Sequence, residues 1–389
     1  MPAEHSAQES RPNSLPLVGP AHPLCYISHM KPASIVTNLS VLLLFAAAYF
    51  LNTYDQPLYY LSVQEDEHLE WATFWGFIIA GAVYFKHAWL QLKSSRTFAW
   101  FVFGLSLFCF LVALEEISWG QRVLGYRAPD FFLAENFQQE FNLHNVVDSS
   151  ARKLVLQMIL LGYGVILSAL SMWPPATEIM TRFRIVAPPP MLIASFLTMF
   201  IFYTWYPWSH TGEWVEAAMG LGFVYAATIP AHLDRNRDAS LLARRLFIVF
   251  AVVWALAILT VLTLRLLLPA DPDKIQRAQA EVTALQADLN SADLPTRCGI
   301  HKRLYTFMRD YEQPYLIEGE FAELVKTSGD VARADYLLDP WNSPYWLRLK
   351  CRSGREATFV YSFGPNRRRD SSEWMLKADD IGGDLLVAP

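Results

Sequence analysis

The sequence predicts a mostly α-helical membrane protein, a seven-helix polytopic bundle followed by a small extracytoplasmic α+β domain. Three observations predict it. Of 389 residues, 53% are hydrophobic and only 18% charged, where a soluble domain carries about a quarter. The charge is uneven: residues 269–389 hold 16 Lys/Arg and 19 Asp/Glu, half of the total. Apolar stretches long enough to cross about 30 Å of hydrocarbon recur up to residue 268 and then stop. The net charge of -5 leaves no basic footprint for nucleic acid, so the expected partner is the lipid bilayer.

Residues 1–31 are polar and rich in Pro and Ser, with neither an apolar signal core nor a cleavage site, and read as a disordered cytoplasmic tail. The membrane domain, 32–268, is expected to span near 34–54, 69–92, 97–114, 153–173, 188–206, 213–232 and 245–268. The last is free of charge from Leu246 to Leu264, and Trp71, Trp89, Trp173 and Trp208 mark span ends. Lys93, Arg96, Arg182, Arg184, Arg235, Arg237, Arg244 and Arg245 all fall in loops of one side. The loops at 55–68 and 207–212 hold no Lys or Arg. Placing the positive side inside gives a cytoplasmic (inner) membrane protein with its N-terminus in the cytoplasm and 269–389 outside.

In the tail, Ile275, Ala278, Val282, Leu285 and Leu289 repeat at helical spacing. A second helix is expected at 300–312, where Ile300, Leu304, Phe307 and Tyr311 share a face. Tyr345–Lys350 and Ala357–Phe363 read as strands joined across Ser353-Gly354, and a polar loop follows from Gly364 to Gly383. Cys298 and Cys351 both fall outside the membrane in this topology, where oxidation is permitted. Paired, they would close a loop of about 50 residues worth roughly 3–5 kcal/mol.

Asp-Pro-Trp-Asn-Ser-Pro-Tyr (339–345), then Tyr-Ser-Phe-Gly-Pro-Asn (361–366), then Asp379-Asp380-Ile381 together resemble the C-terminal domain of the major pseudopilin of type II secretion. The resemblance covers about 273–389 and is specific over the last 50 residues. It implies a long helix on a short antiparallel sheet, a calcium-binding loop, and a secretion-system or other envelope protein as partner. Calcium needs six to eight oxygen ligands, and the 364–380 loop offers Asn366, Asp370, Asp379 and Asp380. Asn366 stands where the family has Asp, and Arg367-Arg368-Arg369 repels a cation. The family's leader and GFTLIE start are not found before 269. The membrane part, through Glu115–Arg122, resembles uncharacterised bacterial membrane proteins.

Polar groups gather at the outer ends of the spans: Gln64–Glu70, Glu115–Arg122, His144–Asp148 and His210–Glu216. Glu115, Ser118 and Arg122 share a helical face, which predicts an internal ion pair. Intramembrane carboxylates usually face a bundle interior or wet cavity. His144, Asp148 and His210 are the candidate ligands of a divalent metal such as zinc, with Glu115 or Glu116 as base for hydrolysis. The alternative is that acidic residues here only stabilise helix N-termini. Two functions follow: an envelope protein that docks or scaffolds through its tail, or a metal-dependent hydrolase of a lipid or lipid-linked substrate. The seven-span alkaline ceramidases are a poor analogy, because the last span here has no histidine.

Overall fold

The computed structural model describes residues 31–229, 239–267, 271–291, 299–352, 355–369 and 380–382. The seven apolar segments form helices close to their expected limits. They are α1 (Lys31–Tyr54), α2 (His68–Ser95), α3 (Trp100–Glu116), α4 (Ser149–Leu170, π-helical over Ile159–Leu167), α6 (Ile193–Trp205), α7 (Thr211–Thr228) and α8 (Ala239–Leu267). An eighth, α5 (Pro174–Phe183), was not anticipated. It buries Ala176 and Met180 while exposing Trp173, Ile179 and Phe183, the pattern of a helix lying in a membrane interface.

Among the described residues only α1, α4 and α8 are long and apolar enough by themselves to cross a membrane, or four counting α3 with the bent segment after it. The expected seven apolar spans are therefore not met: α3 and α6 are short, at 17 and 13 residues, while α2 and α7 are long enough but less apolar. Windows of α1, α4 and α8 are no more than a third buried, and Leu42, Leu43, Leu154, Met158, Phe247 and Leu259 face outward. By contrast, α7 is buried along nearly its whole length, and α2 buries eleven residues while carrying Glu70, Lys86 and Lys93. A helix sheathed by other helices does not need an apolar surface all round.

The core of the bundle is the crossing of α2 and α7. A Cβ on Gly76 would sit 2.9 Å from the carbonyl carbon of Gly220, so the backbones touch where neither residue has a side chain. Around that contact, Phe223 packs on Phe77, Phe108, Tyr163 and Phe196. Buried hydroxyls pair across helices, Ser40 with Tyr225 at 3.0 Å and Tyr84 with Tyr163 at 3.1 Å.

The C-terminal part is a cap of helices and one antiparallel sheet in the order β1-β2-β3-β4: β1 (Ile300–Arg303), β2 (Trp346–Arg352), β3 (Arg355–Ser362) and β4 (Ile381–Gly382). Helix α9 (Pro272–Asn290) is N-capped by Asp271 and buries Ala278, Val282, Leu285 and Leu289, as their spacing predicted. The β2–β3 hairpin also falls where expected, with Trp346 opposite Tyr361. The helix expected at 300–312 is a strand for its first four residues, because Ile300 to Arg303 pair with Leu349 to Trp346. Only Leu304–Asp310 is helical (α10); sheet pairing overrides local periodicity there. Helices α11 (Glu320–Thr327) and α12 (Val331–Asp335) complete the cap. Arg333 of α12 forks onto Glu281 of α9 at 2.7 and 3.1 Å, and the Tyr345 hydroxyl donates to the same carboxylate at 2.8 Å. The tail before Lys31, Cys298, the Cys351 side chain, and Asp370 and Asp379 lie outside the described residues.

Gly76→Ala is expected to push α2 and α7 apart and cost about 1–3 kcal/mol, read as a lowered thermal midpoint of the protein in detergent. An unchanged midpoint would show that the two backbones do not meet there.

Candidate functional site at the junction of bundle and cap

Helix α3 ends abruptly. Ser118, Trp119 and Gly120 have φ of 47°, 55° and 80°, and the chain bends 64° before the short helix Gln121–Leu124. Glu115 and Arg122 are thus not on one helical face, and the expected pair between them does not form. The bend instead turns Arg122 inward, 8% exposed. Its Nε donates to Asp66 at 2.7 Å, Nη1 to Glu140 at 2.6 Å and Nη2 to Glu70 at 2.5 Å. The loop 136–142 closes over this centre: the Ser118 hydroxyl donates to Glu140 at 2.6 Å, Asn142 Nδ2 donates to Ser118 Oγ at 2.9 Å, and Phe141 N donates to Gln121 at 2.6 Å. Burial raises the Glu140 carboxyl above its usual range; Arg122 pulls against this and Glu65 adds to it.

The cap inserts arginines into the same acidic end. Arg303 meets Glu65 at 2.8 Å, and Arg368 meets Glu67 at 3.1 Å, beside Arg265 of α8 at 2.7 Å. Burial alone would raise Glu67, but His68, Arg368 and Arg265 hold it below the usual carboxylate range. Arg367 donates to the Arg122 carbonyl, and Arg369 lies over the Tyr60 ring at 5.4 Å. Neutral bonds add to the seam: Gln139 Nε2 to Tyr336 O at 2.9 Å and Asn342 Nδ2 to Gly125 O at 3.1 Å. Gly125 has φ +73°, and a Cβ there would occupy the place of the Arg367 guanidinium.

The candidate metal ligands are dispersed. The Asp148 carboxylate, fully exposed, accepts from Ser150 N and Ala151 N as the N-cap of α4, the alternative the sequence left open. His144 Nδ1 lies 3.5 Å from Glu115, which also accepts from Leu143 N and Trp119 Nε1. His210 sits edge-on to Tyr60, its pKa lowered by burial and by Arg369. Glu116 is half-buried near Glu216, Glu213 and Glu70. Among the described residues, no three His, Cys, Asp or Glu are arranged to hold a metal. In the loop expected to hold calcium, Asn366 Oδ1 accepts from Arg368 N at 2.7 Å, and Asp380 is buried. The arginine run expected to weaken calcium binding instead pins the cap. Sequence reasoning missed Arg303, Arg265 and Glu140, which lie far apart along the chain.

The two halves of the tail motif meet. Asp339 Oδ1 accepts from Trp341 N and Ser343 N, both at 2.9 Å, while Oδ2 accepts from the Ser362 hydroxyl at 2.5 Å. Ser362 Oγ in turn accepts from Gly364 N at 2.9 Å. Compared with known protein families, curated proteins and solved structures, the chain matches none.

Arg122→Gln is expected to leave three buried carboxylates without their cation and to cost about 3–5 kcal/mol. Adding Glu140→Gln should restore part of the loss in thermal midpoint; no restoration would mean that charge balance is not what the arginine supplies. A second expectation concerns pH. Burial pushes Asp339, fully enclosed, up to about 6 despite its three donors. A carboxyl raised on folding contributes stability below its unfolded value near 4, which is lost as pH rises through 6, by about 3 kcal/mol in all. The stability difference between wild type and Asp339→Asn should therefore vary between pH 4 and 6 and be flat above 7.

Proposed function

We propose that this chain is a multi-pass protein of the cytoplasmic membrane whose C-terminal cap is a fixed extracytoplasmic platform that docks or scaffolds another envelope component. The observation that carries this reading is how the acidic cluster is occupied. Asp66, Glu70 and Glu140, which could have served chemistry, are engaged by Arg122 within the bundle. Glu67, held by Arg265, also takes Arg368 of the cap, and Glu65 takes Arg303, so the acidic end seats the cap. Sidedness is supported by the opposite end. Trp100 Nε1 donates to Phe183 O, and Arg184 to Phe98 O, so the loops carrying Lys93, Arg96, Arg182 and Arg184 meet away from the cap. Basic loops gathered at one end favour that end as cytoplasmic. The long helix on an antiparallel sheet, with Asp339 bonded to Ser362, supports the pseudopilin likeness of the cap. Calcium in the 364–380 loop and zinc at His144, Asp148 and His210 form no part of this reading.

A photoreactive residue at Leu324 or Val331, exposed apolar positions of the cap, is expected to give one adduct of the same size in cells. The adduct should persist with His144→Ala and His210→Ala. Lipid hydrolysis by the purified protein that disappears with His144→Ala would reverse the choice. A phosphatase fused after Pro389 should be active; one active only as a cytosolic reporter would invert the orientation.

A further inference from the structure

We propose that the cleft between cap and bundle binds a phosphate group. The inference rests on the seating of the cap and not on its docking role. The cleft is lined by Arg122, Tyr126, Glu65 and Glu140 of the bundle and by Arg303, Trp346 and Arg367 of the cap; it encloses about 20 Å³. That is room for about one water-sized atom, so one phosphate oxygen would enter and the rest of the group stand outside.

The donors around the cleft divide into those that have acceptors and those that do not. Arg122 gives Nε, Nη1 and Nη2 to Asp66, Glu140 and Glu70. Arg303 gives Nη2 to Glu65 and lies over the Trp346 ring at 4.6 Å, but its Nε, in a residue only 7% exposed, has no acceptor. Arg367 gives Nη1 to a backbone carbonyl; its Nε has no acceptor, and among the described residues no carboxylate pairs with it. Trp346 Nε1 is the third such donor among the residues lining the cleft. Buried N–H groups without acceptors are uncommon in folded proteins, and here three belong to residues lining one cleft.

The ligand must therefore be an acceptor, and two guanidinium groups select an oxyanion. Water could accept from one or two of these donors; Asp339 and Asp66 act on Arg367 but neither is paired with it. Three donor residues suit the several oxygens of a phosphate better than the two of a carboxylate. Glu65 and Glu140 do not oppose this, because each is engaged by Arg122, Arg303 or Ser118. Gly125 keeps Arg367 in the wall, since any side chain there would evict it. A free phosphate and a phospholipid headgroup share this chemistry.

The test uses the full chain in a phosphate-free maltoside detergent at fixed ionic strength. It is titrated separately with inorganic phosphate and with dihexanoyl phosphatidylglycerol, and binding is read by tryptophan fluorescence. Saturable binding of at least one probe is expected, weakened at least fivefold by Arg367→Gln. Trp346→Phe keeps the ring but removes the donor, and should weaken binding at least twofold. It decides the matter if Arg367→Gln does not fold. Phosphate alone binding assigns a free anion, the lipid alone a headgroup, and both the shared site. No saturable binding of either probe, or binding that the folded variants weaken by less than these factors, overturns the proposal.

Discussion

A guanidinium taken out of water needs its charge balanced, or the fold loses several kcal/mol. Arg122 meets that demand with three carboxylates, and the surrounding structure follows from bringing them together. Asp66 and Glu70 come from the entry to α2, which requires Asp66 in the left-handed region at φ 61°. Glu140 comes from a loop folded back under Asn136 and Asn142. Arg122 itself arrives only because α3 breaks at Ser118–Gly120. One cation against three carboxylates leaves an excess of negative charge in a buried place, and Glu140 sits above its usual range chiefly because it is buried, with Glu65 adding to the shift and Arg122 opposing it.

The cap answers the same imbalance. Three successive arginines look ill-placed in a loop expected to bind a cation, because like charges repel. Their position is accounted for once Glu67, Tyr60 and the Arg122 carbonyl are seen as their separate partners. The bundle is thus electrically two-ended: basic loops at one end exposed to water, and an acidic end neutralised by arginines from another part of the chain. The membrane-facing surface is left mainly to α1, α4 and α8, while α7 can carry glycines because protein surrounds it, and α2 buries Glu70 but leaves Lys86 and Lys93 exposed.

Much of this was legible and some was not, for physical reasons. Helix limits were readable because apolar runs end at Trp, Pro or charge, and the face of α9 because its period is 3.6. The hairpin Trp346–Ser362 was readable from β-branched and aromatic content around Ser353-Gly354. The count of spans was misread because α3 and α6 stop short of a full crossing, and α2 and α7 carry charged and polar residues among their apolar ones. Strand β1 was misread because four residues hold too little local information against the pairing that β2 imposes. In the site, the acidic groups were found, but spacing arguments assumed a continuous helix through Ile117, and the φ values at Ser118 and Trp119 break it. The cap's arginines could not have been matched to Glu65 and Glu67 from one sequence, since more than 230 positions separate each pair.

Buried charge sorts the polar residues of the junction more surely than their residue types do. A carboxylate that faces a cation and accepts from nearby N–H or O–H groups is held, and moving a proton or a ligand there would undo the fold. Asp66, Glu67, Glu70 and Glu140 belong to that class, and so does Asp339 with its three donors. Arg303, Arg367 and Trp346 are the converse, because each lines the cleft and keeps a buried donor without an acceptor. The energetic penalty of an unmade bond at such a group, about 1–3 kcal/mol, is tolerable for a fold that Arg122, Arg265 and Arg368 already hold together. It is also the free energy that an incoming acceptor would recover. The charges that close the cap and the donors that remain unsatisfied beneath it are therefore parts of one arrangement, in which rigid pairing on one side of the seam keeps the open donors in place on the other.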